Sequence, residues 1–256
     1  MIYQYPIWAV ALSLIAATVI VTVLLEIGVR SFVSIDFRRQ HNDIAAAILS
    51  IIGVTYAVLL AFVATVAWEG FNKAKAAAHL EAAVIEDVFE AASGFTDPQR
   101  ADLIDRLNRY TRTVIATEWP AQAQGHVDHS ADAYLDELQK LALALQPSDT
   151  AQANFHALIL QSLARLHDAR QERLLAAEVT VPAIVWIVLI AGGTITIAFS
   201  SFLGAPNVAM QVAMCGLLAV SGVLVLVLII ALSNPFRGDF RVSTAPFEYA
   251  LSRIRG

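Results

Sequence analysis

The sequence predicts an all-α integral membrane protein, with four transmembrane helices in a 2+2 arrangement around a helical cytoplasmic domain. Three observations predict it. No Asp, Glu, Lys or Arg occurs before Glu26, between Ile44 and Trp68, or between Val179 and Phe236. Charged side chains are costly in hydrocarbon, so apolar runs this long and clean read as bilayer spans. The charges missing from those runs collect in the insert between Glu69 and Glu178. That insert carries apolar residues at helical spacing, and no segment alternates apolar and polar residues as a strand does.

The first two spans cover about 6–27 and 44–68. The last run is too long for one span and breaks at Leu203-Gly204-Ala205-Pro206-Asn207, giving spans at about 181–202 and 208–232. The chain then divides into a first hairpin (1–68), a helical domain (69–178), a second hairpin (179–234) and a tail (235–256). The start, MIYQYP, has no basic segment, and the apolar run after it is long enough to span, so a signal anchor is expected and not a cleaved signal peptide.

Within the insert, Leu80, Val84, Ile85, Val88 and Phe89 follow span 2 at helical spacing. Span 2 is expected to run on as one long helix to a Gly C-cap near Ser93-Gly94. Thr96-Asp97-Pro98-Gln99 resembles a capping box. It opens a helix with Leu103, Ile104, Leu107, Tyr110, Val114 and Ile115 on one face, ended by Trp119-Pro120. Ala121 to Ser130 reads as a loop. A third helix carries Tyr134, Leu135, Leu138, Leu141 and Leu145 and stops at Pro147. The fourth starts near Ser148-Asp149, shows Phe155, Leu158, Ile159, Leu163 and Leu166, and is expected to continue into span 3. One apolar stripe per helix predicts a bundle.

Hydrophobic residues make up 57% of the chain and the net charge is −5; mean hydropathy is +0.62. No basic block suggests a nucleic-acid partner. The single cysteine, Cys215, lies mid-span and excludes an intrachain disulfide. The link between spans 1 and 2 holds Arg30, Arg38 and Arg39. The other side holds more: Lys73, Lys75, Arg165, Arg170, Arg173, Arg237 and Arg241, then Arg253 and Arg255. This places the domain and both termini of a multi-pass protein in the cytoplasm.

Catalytic patterns are missing: there is no phosphate loop, GxSxG or HExxH. The most metal-like group, His126-Val127-Asp128-His129, reads as a solvated loop, and His156 and His167 are three turns apart. No metal, cofactor or catalytic residue is expected. Gly192-Gly193 reads as a close helix-packing step. Span 2 carries Ser50, Thr55, Tyr56 and Thr65 between Asp43 and Glu69. Those hydroxyls either bond their own helix or line a watery path.

Two segments carry a resemblance. One is Leu59-Leu60-Ala61-Phe62 followed by Trp68-Glu69-Gly70-Phe71-Asn72-Lys73-Ala74, with Glu81 beyond; the other is Asn234-Pro235-Phe236-Arg237-Gly238-Asp239-Phe240. With Glu118-Trp119-Pro120, Arg170-x-x-Arg173-Leu174 and the span layout, the chain resembles the bacterial bestrophin-like family, itself similar to the bestrophin channels. The resemblance implies a homopentameric ion channel whose span 2 lines the pore. By position, the neck residues would be Val54, Val58 and Phe62, whose spacing of four puts them on one helix face. Two valines stand where larger side chains are usual. Animal bestrophins hold calcium with an acidic run after Asn-Pro-Phe-Gly; here Arg237-Gly238-Asp239 offers one acid.

The sequence is therefore read as an oligomeric, passive ion channel. Its expected partners are membrane lipid, ions and further copies of itself, with a pentamer favoured. The alternative is a membrane-anchored sensor or scaffold whose helical domain binds a protein partner. Asp43 and Glu69 would form the pore mouths, with Arg38, Arg39 and His41 beside Asp43. In the tail, Pro235 stops span 4, Gly238 permits a tight turn and Asp239 follows it. The stretch from Phe240 to Phe247 is expected to be irregular and held to a neighbouring surface by Phe236, Phe240 and Phe247.

Overall fold

A computed structural model describes residues 3, 5–178, 180–205 and 207–255. The expectations that fall on Met1, Ile2 and Gln4, on Val179 and on Pro206 in the turn lie outside the described residues. The fold is all-helical, with no strand among the described residues. In chain order the helices are α1 (Ile7–Phe32), α2 (Ile35–Gln40), α3 (Asn42–Ala92), α4 (Gln99–Thr113), a π turn (Val114–Glu118) and α5 (Trp119–Gln124). They continue with α6 (Asp132–Ala144), α7 (Thr150–Glu178), α8 (Ala183–Ser200), α9 (Val208–Leu232) and α10 (Ala245–Arg255). Among the described residues α1, α3, α8 and α9 are long and apolar enough to cross a membrane. The chain forms two compact units, Met1–Glu69 with Thr180–Ser233, and Gly70–Val179 with Asn234–Gly256.

In the first unit α9 packs against α1 and α8. The Gly192-Gly193 step of α8 carries the Tyr56 ring of α3. A Cβ on Gly192 would stand 2.8 Å from Tyr56 Cδ2, and one on Gly193 would stand 2.8 Å from the hydroxyl. Glycine is there because a ring lies on the backbone. The link between α1 and α3 holds the short α2, which the sequence did not foresee; Ser34 caps it by accepting the Phe37 N–H at 3.3 Å. Buried Glu26 pairs with Arg30 at 2.7 Å and with Arg38 at 3.3 Å. Arg38 also donates to the Ser201 carbonyl at 2.9 Å.

In the second unit α4 packs on α6 and α10, and α6 on α7. Val84, Ile85, Val88, Leu103, Leu107, Leu138, Ile159, Leu163 and Leu166 form one buried cluster. Leu80 and Leu158 are instead exposed. Four boundaries differ from expectation, each for a local reason. Trp119-Pro120 does not end its helix: a π turn shifts the hydrogen-bond register just ahead of the proline, so the missing N–H costs one bond and not the helix. The helix ends instead at Gly125, in the left-handed region at φ 86°. Pro98 precedes α4 without a side-chain cap, so no capping box forms. Gly94 has no positive φ; it is small because the Phe155 side chain fills the place of its Cβ. Finally, α7 stops at Glu178 and does not run into α8. Pro182, at ψ 146°, caps α8 and breaks the helical path.

Candidate functional site

Val54, Val58 and Phe62 lie on one face of α3, exposed by 65%, 64% and 67%. These fractions matter because the neighbouring positions Leu60, Val63 and Ala67 are buried. The apolar face is thus not used in packing the chain's own helices. Ile51 and Val66 extend it in either direction and are also exposed. Asp43 and Glu69 are exposed on the same helix, and 26 residues at about 1.5 Å each set them about 39 Å apart. That separation exceeds a hydrocarbon core of about 30 Å. The hydroxyls of Ser50, Thr55 and Thr65 each donate to the carbonyl four residues back, at 2.8, 2.9 and 2.9 Å. Their needs are met within the helix, yet all three stay exposed. Of the cations expected beside Asp43, Arg38 is buried against Glu26 and Ser201, while Arg39 and His41 are exposed.

The second unit holds a buried charge network that the sequence reading did not assemble. Arg170 grips Glu118 with two parallel bonds, Nη1 to Oε2 and Nη2 to Oε1, both 2.7 Å. Its other edge reaches Asp132, Nε to Oδ1 at 2.9 Å. Arg173 donates from Nε to Glu81 Oε2 at 2.6 Å and from Nη2 to Glu118 Oε2 at 2.8 Å. The Ala131 N–H donates to Glu118 Oε1 at 3.0 Å, and the Tyr110 hydroxyl to Glu81 Oε1 at 2.7 Å. Glu81, Glu118, Arg170 and Arg173 are all 0% exposed, so their charges balance in a site that excludes water.

Burial pushes the Glu118 carboxyl up, but the two guanidinium groups outweigh it and hold it below its ordinary value. Burial, then the Glu81 charge, push the Tyr110 phenol well above its ordinary value, so it keeps the proton it donates. The Arg173 guanidinium also lies over Trp119 at 5.6 Å and Phe247 at 5.9 Å. A signal for this network was present. The buried stripe Ile159-Leu163-Leu166 continues in register to Arg170 and Arg173, and Glu81 precedes Ile85 and Val88 in the same way. A charge at a core position needs a partner at another.

The tail belongs to this unit. After Pro235, Phe236 meets the Trp119 ring edge-on at 5.3 Å, and Phe247 meets it at 5.3 Å with the rings inclined by 63°. The Trp119 indole donates to the Val242 carbonyl at 3.3 Å. Gly238 sits at φ 76°, where other residues are strained. Asp239 is exposed. The irregular stretch is shorter than expected, since α10 starts at Ala245, and Phe240 is 60% exposed.

His126 and His129 do not converge on a site. His129 Nδ1 lies 3.2 Å from Asp132, and Asp128 accepts the Ser130 N–H at 2.7 Å. No group of three or more metal-ligating side chains occurs among the described residues.

A family model of the bestrophin-like domain matches residues 16–247. No curated protein sequence matches the chain. Crystal structures of single-residue variants of a bacterial bestrophin homologue from Klebsiella pneumoniae share its fold. One has a TM-score of 0.74 at 12% identity, covering 94% of this chain and 99% of that one. A second gives 0.73 at 13% identity over 94% and 99%, and a third 0.72 at 14% over 95% and 96%.

Proposed function

The chain belongs to the bestrophin-like family, and we propose that it is an oligomeric, passive ion channel whose pore is lined by α3. The observation that carries this reading is the exposed apolar face of Val54, Val58 and Phe62 on a helix of 51 residues. A face of that kind needs a lumen, a neighbouring copy or lipid to cover it. Repeated around an axis, Phe62 would form the largest apolar ring of the three, and such a ring resists wetting and can close a pore. Asp43 and Glu69 would stand at its two mouths. A pentamer is the assembly favoured by the family. The hairpins 1–68 and 179–234 would sit in a bacterial inner membrane, with the domain 69–178, the tail 235–256 and both termini in the cytoplasm. Cysteines placed at Ser34 and Gln124 would then label from opposite sides.

Phe62→Ala tests the pore directly. Ion flux in reconstituted vesicles should rise, and the melting temperature should hold, because no packed core is emptied. Emptying a buried Phe costs about 3–5 kcal/mol. An unstable variant that passes no ions would remove this face of α3 from the pore. Mass in detergent separates a ring of copies from the dimer typical of a sensor.

A further inference from the structure

We propose that the groove between the distal part of α3 and the tail binds a soluble phosphate ester of an amino-bearing planar ring, the chemistry of a nucleoside monophosphate. The groove lies wholly within the second unit, and the proposal goes beyond the pore reading and does not depend on it. Its volume is about 580 Å³, within the range of about 300–1,000 Å³ that ligand pockets occupy. On the α3 side Phe71, Lys75, His79 and Glu86 follow one another at intervals of one or two turns, so they share a face. Ala82 and Ala83 form a floor with no side chain long enough to fill it. Arg241, Pro246 and Tyr249 line the facing wall.

The groove is lined by two kinds of chemistry, cationic and aromatic. Arg253 pairs with Glu90 at 3.3 Å, which aligns α10 beside the end of α3. Tyr249, one turn before Arg253, lines the groove together with Glu86, and Arg241 together with Lys75. Among the described residues Lys75, His79 and Arg241 have no hydrogen-bond or ion-pair partner. Two permanent cations that form no ion pair among the described residues suit a phosphate, which accepts from both. Tyr249 is 57% exposed and, among the described residues, stacks on no ring. An aromatic face of that kind suits a base. Glu86, when ionised, can only accept, which suits the N–H groups of an amino-substituted ring.

The probe is AMP, titrated calorimetrically against the full-length protein in detergent, with adenosine and inorganic phosphate as separate arms. AMP should bind at least about tenfold more tightly than either part, since a charge-assisted contact is lost in each. Lys75→Gln and Arg241→Gln should each weaken AMP by about tenfold without changing the melting temperature, because neither side chain holds the fold together. Tyr249→Ala should weaken AMP and adenosine alike and leave phosphate unaffected. A cysteine at Ala83, in a Cys215→Ala background, should react with maleimide and be protected by AMP. AMP binding no better than phosphate, or undiminished in the Lys75→Gln/Arg241→Gln double variant, overturns the proposal. So does an Ala83 cysteine that labels only after unfolding, which would mean that another copy already fills the groove. Every readout is binding or labelling, so a protein that conducts nothing can still pass the test, and a conducting one can fail it.

Discussion

Replacing Glu118 by Gln should damage this protein more than any other change of one atom type in the helical unit. The carboxylate accepts four N–H groups: two from Arg170, one from Arg173 and one from the Ala131 backbone. The carboxamide has nearly the same shape, so no cavity forms. It does point an N–H where a guanidinium N–H already points. Its remaining oxygen still accepts, but the only carboxylates left are Asp132, about half exposed, for Arg170 and Glu81 for Arg173. One positive charge among the four buried groups becomes uncompensated. Breaking a buried pair from one side costs about 3–5 kcal/mol. For a chain of this size each kcal/mol shifts the midpoint by about 2–4 °C, so the loss should be about 6–20 °C. Thermal melting of the purified protein in detergent reads it, with Arg109→Gln on the exposed face of α4 as the control. Tyr110→Phe, which removes one neutral donor, should fall between the two. A Glu118→Gln variant that melts within about 2 °C of wild type, as an exposed substitution would, refutes the claim that this network holds the unit together.

Three further outcomes follow from the same structure. Because Glu118 titrates below its ordinary value, it adds stability above about pH 4.3 and loses it as pH falls through its lowered folded value. Melting temperature against pH should therefore drop steeply below about pH 4, and Glu118→Gln should show a shallower drop. Gly192→Val should destabilise the membrane unit by about 1–3 kcal/mol, because the new side chain meets the Tyr56 ring. Adding Tyr56→Ala should recover part of that loss, and a simple sum of the two effects would show that they do not touch. Deleting the chain after Asn234 should lower the melting temperature and weaken assembly together, since Phe236, Phe247, Ala250 and Ile254 leave the buried cluster; normal assembly at normal stability would assign the tail a regulatory role instead.

The spans and the bundle were legible because they rest on patterns that one residue type dominates. Long charge-free runs fixed α1, α8 and α9, and unbroken helical spacing past Trp68 carried α3 into the second unit. What failed was local and depended on non-local partners. Gly94 looked like a helix cap, but Phe155, sixty-one residues on, is the reason for it. Pro120 looked like a stop, but a π turn absorbs it. The charge network was hidden for a related reason. Glu81, Glu118, Arg170 and Arg173 were visible as marks of resemblance, yet a charge in a helical stripe tells nothing of its partner until the helices are packed. The tail helix α10 was missed because its apolar residues Phe247, Ala250 and Ile254 make too short a stripe to outweigh the irregular residues before them.

These pieces meet on α3. At about 100° per residue, Val54, Val58 and Phe62 fall within an arc of about 80°. On the same wheel Tyr56 lies about 120° from Phe62. Tyr56 is held by the Gly192-Gly193 step within the membrane unit. Rotating this part of α3 by a single residue would lift Tyr56 off its glycines and swing Phe62 by about 100°. The direction in which Val54, Val58 and Phe62 face is therefore set by a ring over glycine that does not belong to the face it aims.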